Sequence, residues 1–259
     1  MQTSRFHWFG IFVLVLLTIS LACSAAAPAA PPTATPVPPT ATAAFTPTAT
    51  PKPTSTPRPT ATPNFAATQE MDARLKLLQT YVDAGYISST VGEFESIDDF
   101  HEEWPQLNWY QWWPLHQTTT NYGDLVFKAH FAWQTAVRTS DLSGCGIVFG
   151  VQPNGDHYAV FIDKARIAFL MNRGGTAYQV GKTSGSGRLN IAEPAEADIA
   201  VIINGASAYV LVDGVPTKYT LSADQPSSGE FALSLLSGTN KDFGTRCDIT
   251  DAYIWMPDN

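Results

Sequence analysis

"SGCGIVFGVQPNGDHYAVFID", residues 143–163, decides the fold class of this chain. Two short apolar runs, 145–151 and 157–163, flank Asn154-Gly155, a dipeptide that accepts positive φ in a tight turn. Such runs, bounded by turn signals, read as the two strands of a hairpin.

The same pattern extends on both sides. Upstream, in "LVFKAHFAW", Leu125, Phe127, Ala129, Phe131 and Trp133 alternate with Val126, Lys128, His130 and Ala132, the period of a strand. Strands are predicted over 125–134, 145–151, 157–163, 165–171, 176–181, 198–204, 207–213, 215–220, 229–236 and 246–256. Asn204-Gly205 and Asp213-Gly214 mark further tight turns. Many short strands at roughly ten-residue spacing argue for an all-β sandwich or barrel. Runs that are apolar on both faces, such as "IAVIIN" at 199–204, suit the inner layers of two packed sheets. One helix precedes the strands. Asn64 is its predicted cap, Met71, Leu75, Leu78 and Val82 form its predicted buried face, and Gly85 follows its end near Asp83.

The chain has 259 residues, but 12 of its 19 prolines fall between 24 and 64, where no acidic residue occurs. Proline fixes φ and removes a donor, and Thr-Pro and Ala-Thr units bury too little to offset their ordering entropy, so this stretch reads as an unfolded stalk. The remainder is long enough for one domain with a sizeable core. It holds all 23 acidic residues and 12 of the 15 basic ones, a formal charge of −11. An acidic domain repels phosphate backbones, so no nucleic-acid partner is expected. Three cysteines are too few for a disulfide-built scaffold or a Cys-rich zinc site.

The N-terminus reads as an export signal. Arg5 supplies positive charge, and the apolar stretch from Trp8 to Ala22 is too short for a membrane span, which takes ~20 residues. Ser20-Leu21-Ala22-Cys23 resembles the lipobox of bacterial lipoproteins, with Ser20 where that motif usually carries Leu or Val. The resemblance implies cleavage before Cys23, its lipidation, and a membrane-anchored domain facing the exterior. The expected layout is a signal peptide at 1–22, a Pro/Thr-rich stalk at 23–64, a helix and connection at 65–92, and a sandwich at 93–259.

Three segments in order, 143–163, "ADIAVIINGASAYVLVDGVP" at 197–216 and "GEFALSLLSGTNKDFGTRCDITDAYIWMP" at 229–257, resemble the concanavalin A-like (laminin G-like) jelly roll. Its G-x-G-hydrophobic-x-F strand corresponds to Gly144, Gly146 and Phe149, and its Y-x-x-x-I strand to Tyr158 and Ile162. Its V-x-V-x-G hairpin corresponds to Val210, Val212 and Gly214, and its closing aromatic to Trp255. A weaker likeness extends to 3-keto-disaccharide hydrolase-like domains. The resemblance covers about residues 93 to 257 and implies an antiparallel two-sheet jelly roll, a fold often used for sugar recognition; fold alone does not settle function. In jelly rolls the closing strand commonly lies beside an early one. With export placing thiols in an oxidising compartment and Cys23 lipidated, a Cys145–Cys247 disulfide is expected.

Catalytic signatures are sparse. "GGTAYQVGKT" misses the phosphate-loop spacing, since Thr176 stands five before Gly181. G-x-S-x-G and H-E-x-x-H are absent. The E-x-D-x-x-E strand of glycoside hydrolases on this fold is approached by Glu196-Ala197-Asp198, with Val201 in the third acid's place. Glu93, Glu95, Asp98, Asp99, Glu102 and Glu103 are oxygen ligands of the kind Ca²⁺ takes, but without EF-hand spacing. They read as a solvated face, and no cofactor is expected. His130 and His157 are expected on neighbouring strands, too few for a metal site.

One local feature stands out: "WPQLNWYQWWPL" places Trp104, Trp109, Trp112 and Trp113 within ten residues. If this is a strand, Trp112 and Trp113 point to opposite faces and at least one lies outside the core. Sugars present apolar C–H faces that stack on indoles. The sequence therefore points to a non-catalytic carbohydrate-binding module contacting its ligand through Trp109, Trp112, Trp113, His130 and Tyr158. A structural or protein-interaction module, and a glycan-processing hydrolase, are the alternatives.

Overall fold

A computed structural model describes residues 65–116, 120–138, 141–181, 189, 191 and 194–258. The expected signal peptide, lipidation site Cys23, stalk and helix cap Asn64 lie outside the described residues.

The chain adopts the antiparallel jelly-roll sandwich read from its sequence. Helix α1 (Phe65–Asp83) is followed by β1 (Gly92–Ser96), β2 (Phe100–Trp104), β3 (Trp109–Pro114), β4 (Leu125–Thr135), β5 (Gly144–Val151), β6 (His157–Ile162) and β7 (Ile167–Arg173). Then come β8 (Thr176–Gln179), β9 (Ala195–Asn204), β10 (Ser207–Val212), β11 (Val215–Thr220), β12 (Glu230–Ser237) and β13 (Thr245–Pro257). Sheet A has the order β1-β13-β4-β9-β10-β11, with β2 also paired to β13; sheet B has the order β3-β12-β5-β6-β7-β8.

Side-chain alternation fills the space between the sheets. Phe127, Phe131, Ile199, Val201, Ile203 and Ile254 of sheet A meet Ile147, Phe149, Tyr158, Val160, Phe169 and Phe231 of sheet B in one buried cluster. Cys145 of β5 and Cys247 of β13 are joined across this layer by a disulfide, their Cα atoms 5.4 Å apart. Both residues are fully buried.

The acidic run from Glu93 to Glu103 forms β1 and β2, which pair with successive halves of β13. Neither strand has the apolar alternation that marks the others, so sequence pattern passed them over. Their charges suit a sheet margin. Glu103 pairs with Arg246, and His101 Nδ1 lies 2.7 Å from Asp248.

Helix α1 lies on the outer face of sheet A, against Val126, Ala200, Ile202, Leu211 and Trp255. Its buried side is not quite the predicted one. Leu78 is fully buried and Tyr81 nearly so, with Leu77 and Val82 partly buried beside them, whereas Met71 and Leu75 are 40% and 39% exposed. Apolar spacing gives a helical period but not which stripe meets a flat sheet. Here Arg74, on the buried side, takes the place of an apolar residue by laying its guanidinium over the Tyr253 ring, 4.5 Å from the centroid. Gly85 ends the helix at φ 72°, with Tyr86 N–H donating to Tyr81 O and Gly85 N–H to Val82 O, a Schellman closure.

Candidate functional site

The two outer faces of the sandwich differ. On sheet A, α1 occupies much of the face. Among the described residues no helix packs on sheet B, and the outward side chains of β3 and β6 form an aromatic group.

β3 is one of the two edge strands of sheet B. Tyr110 and Trp112 are two residues apart and point outward together, while Trp113 between them and Pro114 turns inward against the core. Trp109, at the start of the strand after Asn108 at φ 54°, stacks on Tyr110 with ring centroids 6.4 Å apart and stays 58% exposed. Tyr110 and Trp112 lie 5.8 Å apart. β12 and β5 separate β3 from β6, yet Tyr110 reaches Phe161 at 5.1 Å and Trp112 reaches His157 at 4.8 Å. Small residues between them, Ser234 and Gly146, leave the room. Phe161 lies over Gly146 so closely that a Cβ there would sit 2.4 Å from its ring.

His157 is 2% exposed, and its environment settles its tautomer. Nδ1–H donates to Gly155 O at 2.8 Å, so Nε2 accepts from the Tyr110 hydroxyl at 2.6 Å. Burial is the main cause that pushes the His157 pKa below its ordinary value, so the ring is neutral at physiological pH. Burial likewise raises Tyr110, against a hydrogen bond with Asn172 that lowers it. The result is an uncharged aromatic group with the Asn172 amide at its margin, buried at His157 and Phe161 and exposed at Trp109. Each indole supplies a flat apolar face, and such a surface can stack on the C–H face of a sugar ring.

The residues singled out from sequence divide. Trp109 and Trp112 belong to this surface. Trp113 does not, because strand alternation turns it inward, where it packs edge-on against Phe100 at 5.2 Å. Tyr158 is 0% exposed and stacked on Phe149 between the sheets, its hydroxyl donating to Gln225 O at 3.2 Å, so it contacts no ligand on either face. His130 lies on the outer face of sheet A, on the opposite side of the sandwich from His157; the two are not on neighbouring strands. Tyr110, His157, Phe161 and Asn172 are added by the structure. Only Tyr110 had a usable signal, its i, i+2 relation to Trp112.

His130 Nδ1 and Lys128 Nζ approach Asp198 Oδ1 at 3.2 and 3.3 Å, beside a cleft of about 490 Å³ between α1 and sheet A. Burial pushes the Asp198 carboxyl up, but the His130 and Lys128 contacts outweigh it and hold the group below its usual range. A second cleft of about 330 Å³ lies at Glu95, whose carboxylate accepts from His116 Nε2 at 2.7 Å and from the Tyr122 hydroxyl at 3.0 Å. Among the described residues no three His, Cys, Asp or Glu side chains converge to hold a metal ion.

The Glu196-x-Asp198 remnant of the hydrolase signature sits on β9 of sheet A, pointing outward, while Val201 has the opposite parity and faces the core. The aromatic surface is on the other sheet. A carboxylate at Val201 would be buried among Phe127 and Ile199 rather than beside the other two.

No protein-family model matches the chain, and no curated protein matches it. Among solved structures it is similar to the carbohydrate-binding module CBM66 from Bacillus subtilis, at 9% identity and TM-score 0.42 over 62% of this chain and 94% of that one. It is also similar to the β-glucanase of Bacillus licheniformis, at 13% identity and TM-score 0.38 over 54% and 69%. A third is alginate lyase A1-II', at 9% identity and TM-score 0.39 over 53% and 64%. At these scores the likenesses say nothing about activity.

Proposed function

We propose that the sandwich binds a glycan on the outer face of sheet B and does not cleave it. The observation that carries this is the exposed Trp109 ring stacked on Tyr110 and continued by Trp112 and His157, on a face that no helix among the described residues covers. An exposed indole held by its neighbours binds at little conformational cost. A retaining glycosidase needs two carboxyl groups ~5–5.5 Å apart. The strands of sheet B carry a single one, that of Glu230.

Display at a bacterial surface belongs to the same reading: Cys23 is lipidated, and the Pro/Thr-rich segment lifts the domain off the membrane. Detergent-phase partitioning of wild type and Cys23→Ala tests the anchor. Equal partitioning of the two proteins refutes it.

The binding test is titration of the full-length protein against polysaccharides, with Trp109→Ala and Trp112→Ala alongside. Each stacked ring contributes about 1 kcal/mol, so each variant weakens binding ~5-fold. Single sites of this strength are weak, and many copies on one surface raise avidity. Failure of wild type to bind any glycan, or binding indifferent to both substitutions, overturns the proposal in favour of a protein-interaction module.

A further inference from the structure

Resting on that reading, the structure assigns the site a narrower ligand class: uncharged glycans, with uronic-acid and sulfated polymers excluded. The argument is the distribution of charge over the two faces.

A protein that binds a polyanion places Lys or Arg where each carboxylate or sulfate falls, because an unpaired buried anion is costly. Among the described residues, the strands of sheet B carry one basic side chain, Arg173. It is the last residue of β7, has the opposite parity to outward-facing Asn172, and pairs with Asp224 at 3.5 Å. The cations of sheet A and α1 lie on the far side of the sandwich, and apart from the exposed Lys76 of α1 they have anionic or aromatic partners. Lys128 holds Asp198, Arg246 holds Glu103, Arg74 holds Glu70, and Lys218 lies over Tyr209.

His157, the one titratable cation candidate in the aromatic group, is unavailable for that role. Both of its ring nitrogens are engaged, one as a donor to Gly155 O and the other as an acceptor from Tyr110. Protonating it would reverse the Tyr110 bond, the hydroxyl then accepting from Nε2–H, and would put a charge among Tyr110, Trp112 and Phe161. The only formal charge on the strands' outer face is negative. Glu230 stands at the start of β12, opposite Val151. The folded part as a whole carries 12 basic against 23 acidic residues, so its long-range field also repels polyanions.

What remains suits a neutral sugar. The apolar faces of Trp109 and Trp112 meet ring C–H groups, and the Asn172 amide and the exposed end of Trp109 meet hydroxyls.

The experiment uses immobilised neutral polysaccharides (a glucan, a mannan, a fructan, a galactan) beside polygalacturonate and heparin. Each is titrated with full-length wild type and Trp109→Ala at about 0.02 and 0.15 M salt. The expected result is binding to at least one neutral polymer that Trp109→Ala weakens ~5-fold and salt leaves unchanged, with binding to the two polyanions at least 10-fold weaker at both salt levels. Trp109-dependent binding to polygalacturonate or heparin as tight as to any neutral polymer overturns this inference while leaving glycan binding at this face intact. Binding to none of the six overturns both.

Discussion

The Cys145–Cys247 bond closes a loop of 102 residues between β5 of one sheet and β13 of the other, and its removal has a calculable consequence. In the chain-entropy treatment a loop of about 100 residues restricts the unfolded ensemble by ~4.7 kcal/mol. For a domain of this size each kcal/mol moves the melting temperature by about 2–4 °C, so loss of the bond lowers it by roughly 10–20 °C. Substituting both cysteines by alanine would add a cavity cost, because both side chains are fully buried. The cleaner perturbation deletes no atoms: wild type is reduced in denaturant, refolded under reductant, and compared with the oxidised protein by calorimetry. Burial also predicts that reductant added to the folded protein acts slowly, at a rate set by opening of the sandwich. A difference below about 3 °C between the oxidised and reduced forms would refute the reasoning. It would show that the unfolded chain is already constrained across this loop.

Leu78→Ala removes a fully buried side chain beneath α1 and costs about 2–5 kcal/mol in denaturant titration, whereas Leu75→Ala, on the exposed side, stays within about 0.5 kcal/mol; equal effects would contradict the observed helix face. Gly146→Val pushes a side chain into Phe161 and Val160 O, each 2.4 Å from the added Cβ, so it destabilises by about 1–3 kcal/mol and weakens glycan binding more than Trp109→Ala does. His157 has a folded-state pKa below its ordinary 6.5, so the unfolded chain takes up the proton first and stability falls as pH drops below that value. His157→Gln removes that component, and unfolding curves at pH 7 and pH 5 should show a smaller loss for the variant than for wild type.

Most of the architecture was legible before any coordinates. Period-two alternation in 125–133 and the apolar runs at 145–151, 157–163 and 199–204 report burial directly, because a strand's side chains alternate between faces and a sandwich core accepts only apolar ones. The margin strands β1 and β2 were not legible, since their partners on β13 provide the pairing and their own side chains are largely charged. The site was half legible. Composition concentrates tryptophan at 109–113, and alternation separates Trp112 from Trp113, but neither says which of the two faces outward. Strand order decides that: β3 joins sheet B through β12, so Trp113 meets Phe100 in the core and Trp112 meets His157 outside. Likewise Tyr158 and His157 are neighbours in sequence with opposite fates, one stacked on Phe149 and the other bonded to Tyr110. Local sequence determines that a residue alternates. The face it reaches, and the partners waiting there from strands tens of residues away, belong to the tertiary fold, because they depend on which strand pairs with which.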